Sequence, residues 1–398
     1  MKILYLYCNP GFDHSETHSS HVIHIMSTVE SLRKLGHSVD TFFPGANDYQ
    51  TSLRGRFHSL KKMIPEYFAL LLRDIYELHH DMTCAYELGR ILETYRPDFI
   101  YERTTCNHQA GVHIARKYRI PIIVELNAPL EEKMVLWGAP LLSLSRRIEQ
   151  RVLTRASAII TVSSSLKEYY VKKGVNANKI FVMPNGVDGR LFNVSFTNAP
   201  LRKELGLDKK VIIGLIGNFR VYHGTELFYP LCNRLVMCSH RFHFLIVGHG
   251  HGIDDLLMKL SSSDLQQYFT FIKPVPHKLM RNYISVMDIC LMPNSNWYGS
   301  PMKIFEYAAM GKAIVAPKLP PLEDVLVNGK TAFLFNPGDP NELFLKVKTL
   351  VENKALRGQL GSRARKELLG KHAWIHNAER IISIHCGIKA RRYVESSE

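Results

Sequence analysis

Apolar and polar positions along the chain switch repeatedly between a strand-like run and a helical period. Ile3 to Tyr7 is a short apolar run that reads as a strand, and Asn9-Pro10-Gly11 is the turn after it. A polar stretch rich in Ser and His follows. Val22, Ile25, Met26, Val29 and Leu32 then fall at helical spacing, Gly36 stops that helix, and Ser38 to Phe43 supplies the next strand. This is a βαβ beginning, with the loop after the first strand at the carboxyl edge of a parallel sheet, where open α/β folds bind ligands. Strands at Asp98–Tyr101, Ile120–Leu126, Ala158–Val162 and Ile180–Met183 alternate with helices near Ala110–Lys117 and Leu144–Arg155, and Ser163-Ser164-Ser165 caps a further helix. Pro184-Asn185-Gly186-Val187-Asp188 is turn-rich, and residues 193–200 read as a polar linker.

The alternation then restarts. Val211–Ile216, Phe242–Val247, Phe269–Ile272 and Asp288–Met292 are strands, with a loop at 217–224, a helix over Thr225–Cys238 and the glycine-rich exit Gly248-His249-Gly250-His251-Gly252. Two consecutive doubly wound units are predicted, residues 1–195 and 196–371, with a terminal helical segment over 372–398.

Trp297 to Pro317, WYGSPMKIFEYAAMGKAIVAP, carries the densest set of local signals. Ser300 suits a helix N-cap, Pro301 the first helical position, and Gly311 a left-handed stop, which brackets a helix of about three turns. Ala313 to Ala316 looks like a strand buried on both faces. Lys303 and Glu306, three apart, share one face of the helix. A cation beside free backbone N–H groups makes an anion site, most often for phosphate, and a carboxylate one turn on can accept from sugar hydroxyls. The same pair also reads as an ordinary surface ion pair.

Residues 53–80 interrupt the first unit with a stretch both basic and apolar. Two readings stand. One is a helix pair, divided at Pro65, packed on the sheet with a solvated basic face. The other is an interfacial segment with Arg54, Arg56, Lys61 and Lys62 at anionic head groups and Phe57, Leu60, Tyr67, Phe68, Leu70 and Leu71 in the lipid.

Hydrophobic content of 46% and charged content of 22% over 398 residues belong to a globular protein with room for two cores. No apolar run approaches the roughly 18 residues of a spanning helix, and the N-terminus reads as a first strand, not a signal peptide. Seven cysteines without a CxxC pair suggest reduced thiols and a cytoplasmic location, with the inner membrane face as the variant that residues 53–80 would add. No zinc spacing and no Asp-x-Asp occur, so neither metal nor cofactor is expected; His249 and His251 lack a third ligand. The formal charge of +15 favours anionic partners. Nucleic acid is not among those expected, because no recognition module accompanies the charge.

Ala156-Ser157-Ala158-Ile159-Ile160-Thr161-Val162-Ser163, Pro184-Asn185-Gly186-Val187-Asp188 with Phe192, Ile216-Gly217-Asn218-Phe219-Arg220 before His223-Gly224, Ile246-Val247-Gly248-His249-Gly250, the 297–317 stretch, and Glu323-Asp324-Val325 with Asn328-Gly329-Lys330 occur in this order. Together they resemble a retaining glycosyltransferase of family 4, in particular bacterial members that build surface polysaccharides. The resemblance implies the GT-B architecture, two Rossmann-like doubly wound domains facing across a cleft, with the last helix crossing back onto the first. It also implies a nucleotide-sugar donor and a glycan or lipid-linked acceptor.

The resemblance assigns Arg220, Lys303 and Glu306 to the catalytic set: Arg220 as the first of a basic pair on the donor diphosphate, Glu306 on the ribose. His223 stands where the second cation is usually Lys, and Lys303 is placed to supply the missing charge. Tyr298 occupies the position of a Glu that usually contacts the donor sugar. Gly11 is placed near the diphosphate and Asn127 near the sugar, and Glu102, Glu125, Gly299 and Ser300 complete the expected substrate contacts. A GT-B-like sugar-nucleotide epimerase, with Glu102 and Glu125 as acid and base, is the alternative enzyme. A non-catalytic nucleotide-sugar-binding relative is the third reading. Gly248-x-Gly250-x-Gly252 follows the second strand of its unit and lacks the full dinucleotide pattern, which argues against a nicotinamide enzyme.

Overall fold

A computed structural model describes residues 1–10, 12–13, 19–44, 65–136, 138–219 and 224–395, excluding the side chains of 133, 136 and 391–395. Gly11, Arg220, His223 and residues 53–64 lie outside the described residues. The chain divides into two units, Met1–Met183 with Ile375–Glu398, and Pro184–Trp374.

In the first unit β1 (Lys2–Leu6), β2 (Ser38–Phe42), β3 (Phe99–Arg103), β4 (Ile122–Leu126), β5 (Ala158–Thr161) and β6 (Ile180–Val182) form a parallel sheet in the order β2-β1-β3-β4-β5-β6. Its central strands are apolar on both faces because helices cover both. Glu102 and Arg103 therefore stand inside β3, not after it, and the register sets Arg103 beside Glu125 of β4. The helix Trp374–Glu395 completes one face of this sheet. Its Ala378 and Ile381 are buried among Ile3, Tyr5 and Phe99, His385 stacks on Phe99 at 4.4 Å, and Arg380 donates to the Val182 carbonyl at 2.9 Å.

Residues 66–94 form one 29-residue helix, Glu66–Thr94, that begins directly after Pro65. Proline fits there because the first turn needs no amide donor. Elsewhere the boundaries follow the sequence signals closely: Ser20–Lys34 is the first helix, Gly36 after it has φ 83°, and the Ser163 hydroxyl accepts from Leu166 N–H at 3.2 Å.

In the second unit β7 (Val211–Asn218), β8 (Phe242–His249), β9 (Phe269–Ile272), β10 (Ile289–Leu291), β11 (Ala313–Pro317) and β12 (Phe333–Phe335) form a parallel sheet in the order β12-β11-β10-β7-β8-β9. The connectivity reverses direction between β7 and β10, so the loops leaving those two strands part from each other. That is the place where such sheets leave a crevice for ligands.

The division between units falls at Pro184, nine residues before the polar stretch 193–200 that the sequence suggests as a linker. The physical reason is the packing of residues 184–195. Asn185 hydrogen-bonds Ser300, Val187 pairs with Ala373, and Phe192 is 1% exposed in the core around Ile304 and Phe305. The supposed linker runs into a short helix, Ala199–Glu204, capped by Asn198.

Candidate active site

The second unit presents its polar groups at the exits of β7 and β10. Gly217, near the end of β7, has φ 131°, and a Cβ built there would lie 2.9 Å from Lys303 Nζ. Glycine thus supplies both a backbone conformation closed to other residues and the space that the ammonium occupies. Glycines 248 and 250 at the exit of β8 repeat this logic: their Cβ positions would fall 1.9 Å from the Gly217 carbonyl oxygen and 2.4 Å from that of Phe219. The glycine-rich exit is there to let the two loops touch backbone to backbone.

Lys303 and Glu306 sit on the helix Met302–Ala309, which has two turns and not three. Ser300 does not cap it. The residue before the first turn is Pro301, and the Ser300 hydroxyl accepts from Asn185 N–H at 2.9 Å while Asn185 Nδ2 donates to the Ser300 carbonyl at 2.5 Å. A serine drawn into a tertiary pair is unavailable to the local helix. Gly311, at φ 64°, ends the helix as its sequence suggests, and β11 is buried along its whole length.

Lys303 is half-buried and has no hydrogen bond or ion pair with any described residue. Burial pushes its amine down to about 8, against the pull of Glu306 in the other direction. Glu306 is 5% exposed, and its Oε1 accepts from His277 Nε2 at 2.7 Å. His277 opens the helix His277–Val286 behind Pro276 and packs its ring on Phe192, centroids 5.2 Å apart. Tyr298 lies edge-on to Trp297, and Gly299 N–H donates to Asn296 Oδ1 at 2.5 Å, closing the loop that leads to the helix.

The first unit carries a second polar centre. Glu125 is fully buried; Oε1 accepts from Arg103 Nη1 at 2.7 Å and Asn127 Nδ2 at 2.5 Å, and Oε2 accepts from His24 Nε2 at 3.0 Å and from the Tyr101 hydroxyl. Burial alone would raise this carboxyl, but His24, Arg103 and Tyr101 outweigh it and hold the group well below the usual carboxylate range. The cluster extends to Tyr7, whose hydroxyl accepts from Asn9 Nδ2 at 3.3 Å.

Glu102 differs in every respect. It is 1% exposed, its Oε2 has no hydrogen-bond partner, and it lies against Gly111, where a Cβ would come within 2.1 Å. Burial, with Asp81 and Cys84 nearby, pushes its carboxyl up to about 8. Asp81 accepts the Gln109 and Ala110 amides at 2.9 and 2.8 Å, capping the helix Ala110–Lys117 from outside.

The structure thus sets Tyr298, Gly299 and Ser300 in the loop that leads into the helix of Lys303 and Glu306, and joins Glu125 to Asn127 in the first unit. Glu102 alternates to the other face of the sheet, where it lies against Gly111. Sequence reasoning missed His277, His24 and the role of Arg103. The first had a usable signal, a Pro-His pair opening a helix after a strand. His24 had none, since it shares a helix face with Val22, Ile25 and Val29. Among the described residues no three His, Cys, Asp or Glu side chains are grouped to hold a metal ion.

Residues 21–190 match the family Glycosyltransferase Family 4 and residues 210–353 match Glycosyl transferases group 1. Each match covers less than half of the chain, and the two follow one another along it. Curated relatives include sulfoquinovosyl transferase SQD2 of Arabidopsis thaliana, 27% identical over 238 residues that cover 56% of this chain and 43% of the relative. Another is the putative teichuronic acid biosynthesis glycosyltransferase TuaH of Bacillus subtilis, 28% identical over 205 residues, 46% of this chain and 49% of that one. The chain spans about half the length of these curated relatives. Among solved structures, Anabaena Alr3699/HepE in complex with UDP aligns with a TM-score of 0.69 at 17% identity over 96% of this chain and 99% of that one. Sucrose-phosphate synthase from Thermosynechococcus elongatus aligns with a TM-score of 0.70 at 16% identity, over 98% and 99% of the two chains. At such identity the likeness establishes the fold, which is GT-B with two Rossmann-like units.

Proposed function

We propose that the protein transfers a sugar from a nucleotide-sugar donor to a glycan or lipid-linked acceptor, with retention at the anomeric carbon, in the synthesis of a surface polysaccharide or glycolipid. The observation that carries this reading is the pairing of Lys303 with Glu306 on one short helix at the fold's ligand-binding edge. The ammonium has no described partner of its own, and the carboxylate is held by His277 through one oxygen.

The chemistry needs this combination. As the glycosidic bond to the diphosphate lengthens, negative charge gathers on the β-phosphate, and a cation fixed in a poorly solvated site stabilises it. In this reading Lys303 and Arg220 supply that charge, and the free amides of the helix first turn add to it. The remaining oxygen of Glu306 accepts from the ribose hydroxyls. With no carboxylate assigned as a nucleophile, the departing phosphate takes the acceptor proton on the face it leaves. Protein cations serve in place of a metal, so a chelator leaves the rate unchanged. Glu125 binds four partners and is thereby less suited to act as an epimerase acid or base; that alternative is the weaker one. The preferred acceptor lies at an anionic membrane on its cytoplasmic face.

The test is a panel of nucleotide sugars, UDP-glucose first because a structural neighbour is complexed with it. Thermal stabilisation and nucleoside diphosphate release are read for the wild type and for Arg220→Ala, Lys303→Ala and Glu306→Ala. One donor that stabilises and is turned over, with both effects lost in the variants, supports the reading. No binding, or binding indifferent to all three changes, removes it. Binding without turnover in the presence of acceptor extracts indicates the non-catalytic relative.

A further inference from the structure

The inward face of the helix Glu66–Thr94 is polar. Asp74 is fully buried and accepts from Leu141 N–H at 3.1 Å, Glu77 accepts from Asn107 Nδ2 at 2.8 Å, Asp81 caps the helix Ala110–Lys117, and the buried Cys84 follows on the same side. Cys84 Sγ lies 3.4 Å from Nδ1 of His80, one turn earlier. That Nδ1 is also 3.2 Å from His108 Nε2, and His108 Nδ1 is 2.6 Å from the Cys106 carbonyl oxygen. A carbonyl only accepts, so His108 holds its proton on Nδ1. Burial pushes the His108 ring down to about 4, which leaves Nε2 a bare acceptor at neutral pH. His80 therefore carries its own proton on Nδ1, and that N–H faces the Cys84 sulfur. A thiol, an imidazole beside it and a third group that orients the imidazole are the parts of an activated nucleophile.

A second thiol stands next to the first. In β1 the side chains of Leu4 and Leu6 share a face with Ile100 and Glu102 of β3, and Cys8 continues that face by alternation. Cys8 is 1% exposed and Cys84 is fully buried. The two thiols act directly on each other: Cys8, with His80 behind it, pulls Cys84 well below the usual thiol range against its burial, while Cys84 and burial push Cys8 up. The other buried thiols lack such surroundings. Cys106 donates to the Leu130 carbonyl at 3.6 Å, and burial pushes Cys232 and Cys290 up.

We infer that Cys84, beside His80, is a modification site for peroxide, with Cys8 as the thiol that resolves it into a disulfide. The Cys84 thiolate sulfur attacks one oxygen of hydrogen peroxide, the O–O bond breaks, and the departing hydroxide takes up a proton as water, leaving Cys84 as the sulfenic acid. The Cys8 sulfur then attacks the Cys84 sulfur; the S–S bond forms, the S–O bond breaks, and the departing hydroxide takes the Cys8 proton as a second water. Two thiols and one peroxide thus give one disulfide and two waters, the sulfurs supplying the two electrons that reduce the O–O bond. Burial selects the oxidant by size. His80 is half-buried, so the Cys84 sulfur lies one side chain from solvent, within reach of a small neutral molecule and closed to bulky thiol reagents. Because Cys8 stands two residues past the end of β1, the cross-link ties the ligand-binding edge of the first sheet to the long helix. The inference does not depend on the functional reading above.

Peptide mapping tests it, on the full-length protein exposed briefly to hydrogen peroxide near neutral pH and then alkylated under denaturing conditions. Of its seven thiols the wild type is expected to lose Cys8 and Cys84 together, to give one cross-linked pair of peptides that carries both, and to recover them with dithiothreitol. Cys8→Ser is expected to stop at the Cys84 sulfenic acid, which dimedone traps. His80→Asn is expected to react roughly threefold or more slowly at about pH 6, with its pH–rate profile displaced upward, because the thiolate loses its donor. A His80 that only fills space would leave that profile unmoved. The wild-type map decides the matter even if a variant fails to fold. Oxidation that falls first on the exposed Cys238 and Cys386 while Cys8 and Cys84 stay free overturns the inference. So does a disulfide joining Cys84 to any cysteine other than Cys8, or a His80→Asn chain with the wild-type profile.

Discussion

His277 Nε2 donates to Glu306 Oε1 at 2.7 Å, and the two side chains belong to different helices, His277–Val286 and Met302–Ala309. The bond fixes the carboxylate's rotation and leaves one oxygen for a ligand. A charge-assisted hydrogen bond in a nearly buried site is worth roughly 1.5–3 kcal/mol. His277→Ala is therefore expected to raise KM for the donor about tenfold or more, with kcat much less affected, and His277→Gln to restore part of the loss. Steady-state kinetics on the three proteins decide it. Equal KM values would mean that Glu306 needs no partner to hold its place.

Lys303 gives the site a pH signature. Its amine sits at about 8, far below the usual 10.5 of a lysine, because burial disfavours the charge. Below pH 8 the free protein carries the cation; above it the fraction falls. Donor affinity should thus weaken as pH rises from 7.5 to 9, and a bound diphosphate should pull the amine back up. Lys303→Arg, charged throughout this range, is expected to flatten the profile whatever its absolute affinity. A wild-type profile already flat to pH 9 would show that Lys303 does not meet the ligand's charge.

Much of this arrangement is legible in the sequence, and the reasons are local. Two parallel sheets follow from strands such as Ile122–Leu126 and Ala313–Pro317, apolar on successive positions because helices cover both faces. Lys303 and Glu306 share a face by spacing alone. What local rules cannot carry is pairing across distance. Ser300 reads as a cap until Asn185, 115 residues earlier, takes its hydroxyl. His24 and Glu125 are 101 residues apart, and nothing near either announces the other. The long helix shows the same limit: Asp74 and Asp81 look like its solvent face until their buried partners are seen.

Glu125 is expected to be a structural hub of the first unit. Glu125→Gln removes the negative charge facing Arg103 and leaves that guanidinium without its carboxylate. Breaking a buried pair from one side costs about 3 kcal/mol or more. Because the Glu125 carboxyl is held below its ordinary range, its contribution is present at neutral pH and is lost as the pH falls below about 4.5 toward the folded value. Urea unfolding should show the variant much weaker at pH 7 and the gap narrowing only as the pH falls from about 4.5 toward 2.5. A gap that stays constant with pH would point to lost packing in place of lost charge.

Glu102 reverses that sign. Its carboxyl is pushed up to about 8 by burial and by Asp81 and Cys84, so the folded protein holds a proton that the unfolded chain has released above about 4.5. The stabilisation linked to that proton is full below pH 4.5 and declines as pH rises through 8, with a slope of up to about 1.4 kcal/mol per pH unit. Glutamine keeps the shape of the protonated acid and cannot ionise. Glu102→Gln should consequently match the wild type in thermal midpoint near pH 5 and exceed it progressively from pH 6 to 8.5. Asp81, also raised by burial, contributes a similar decline to both proteins and cancels in the difference. The orphaned Oε2 makes the test sharp, because no hydrogen bond is lost when an amide nitrogen takes its place against Gly111. If the difference between the two midpoints does not change with pH, the carboxyl is ionised in the folded protein and its burial is compensated by a partner other than a proton.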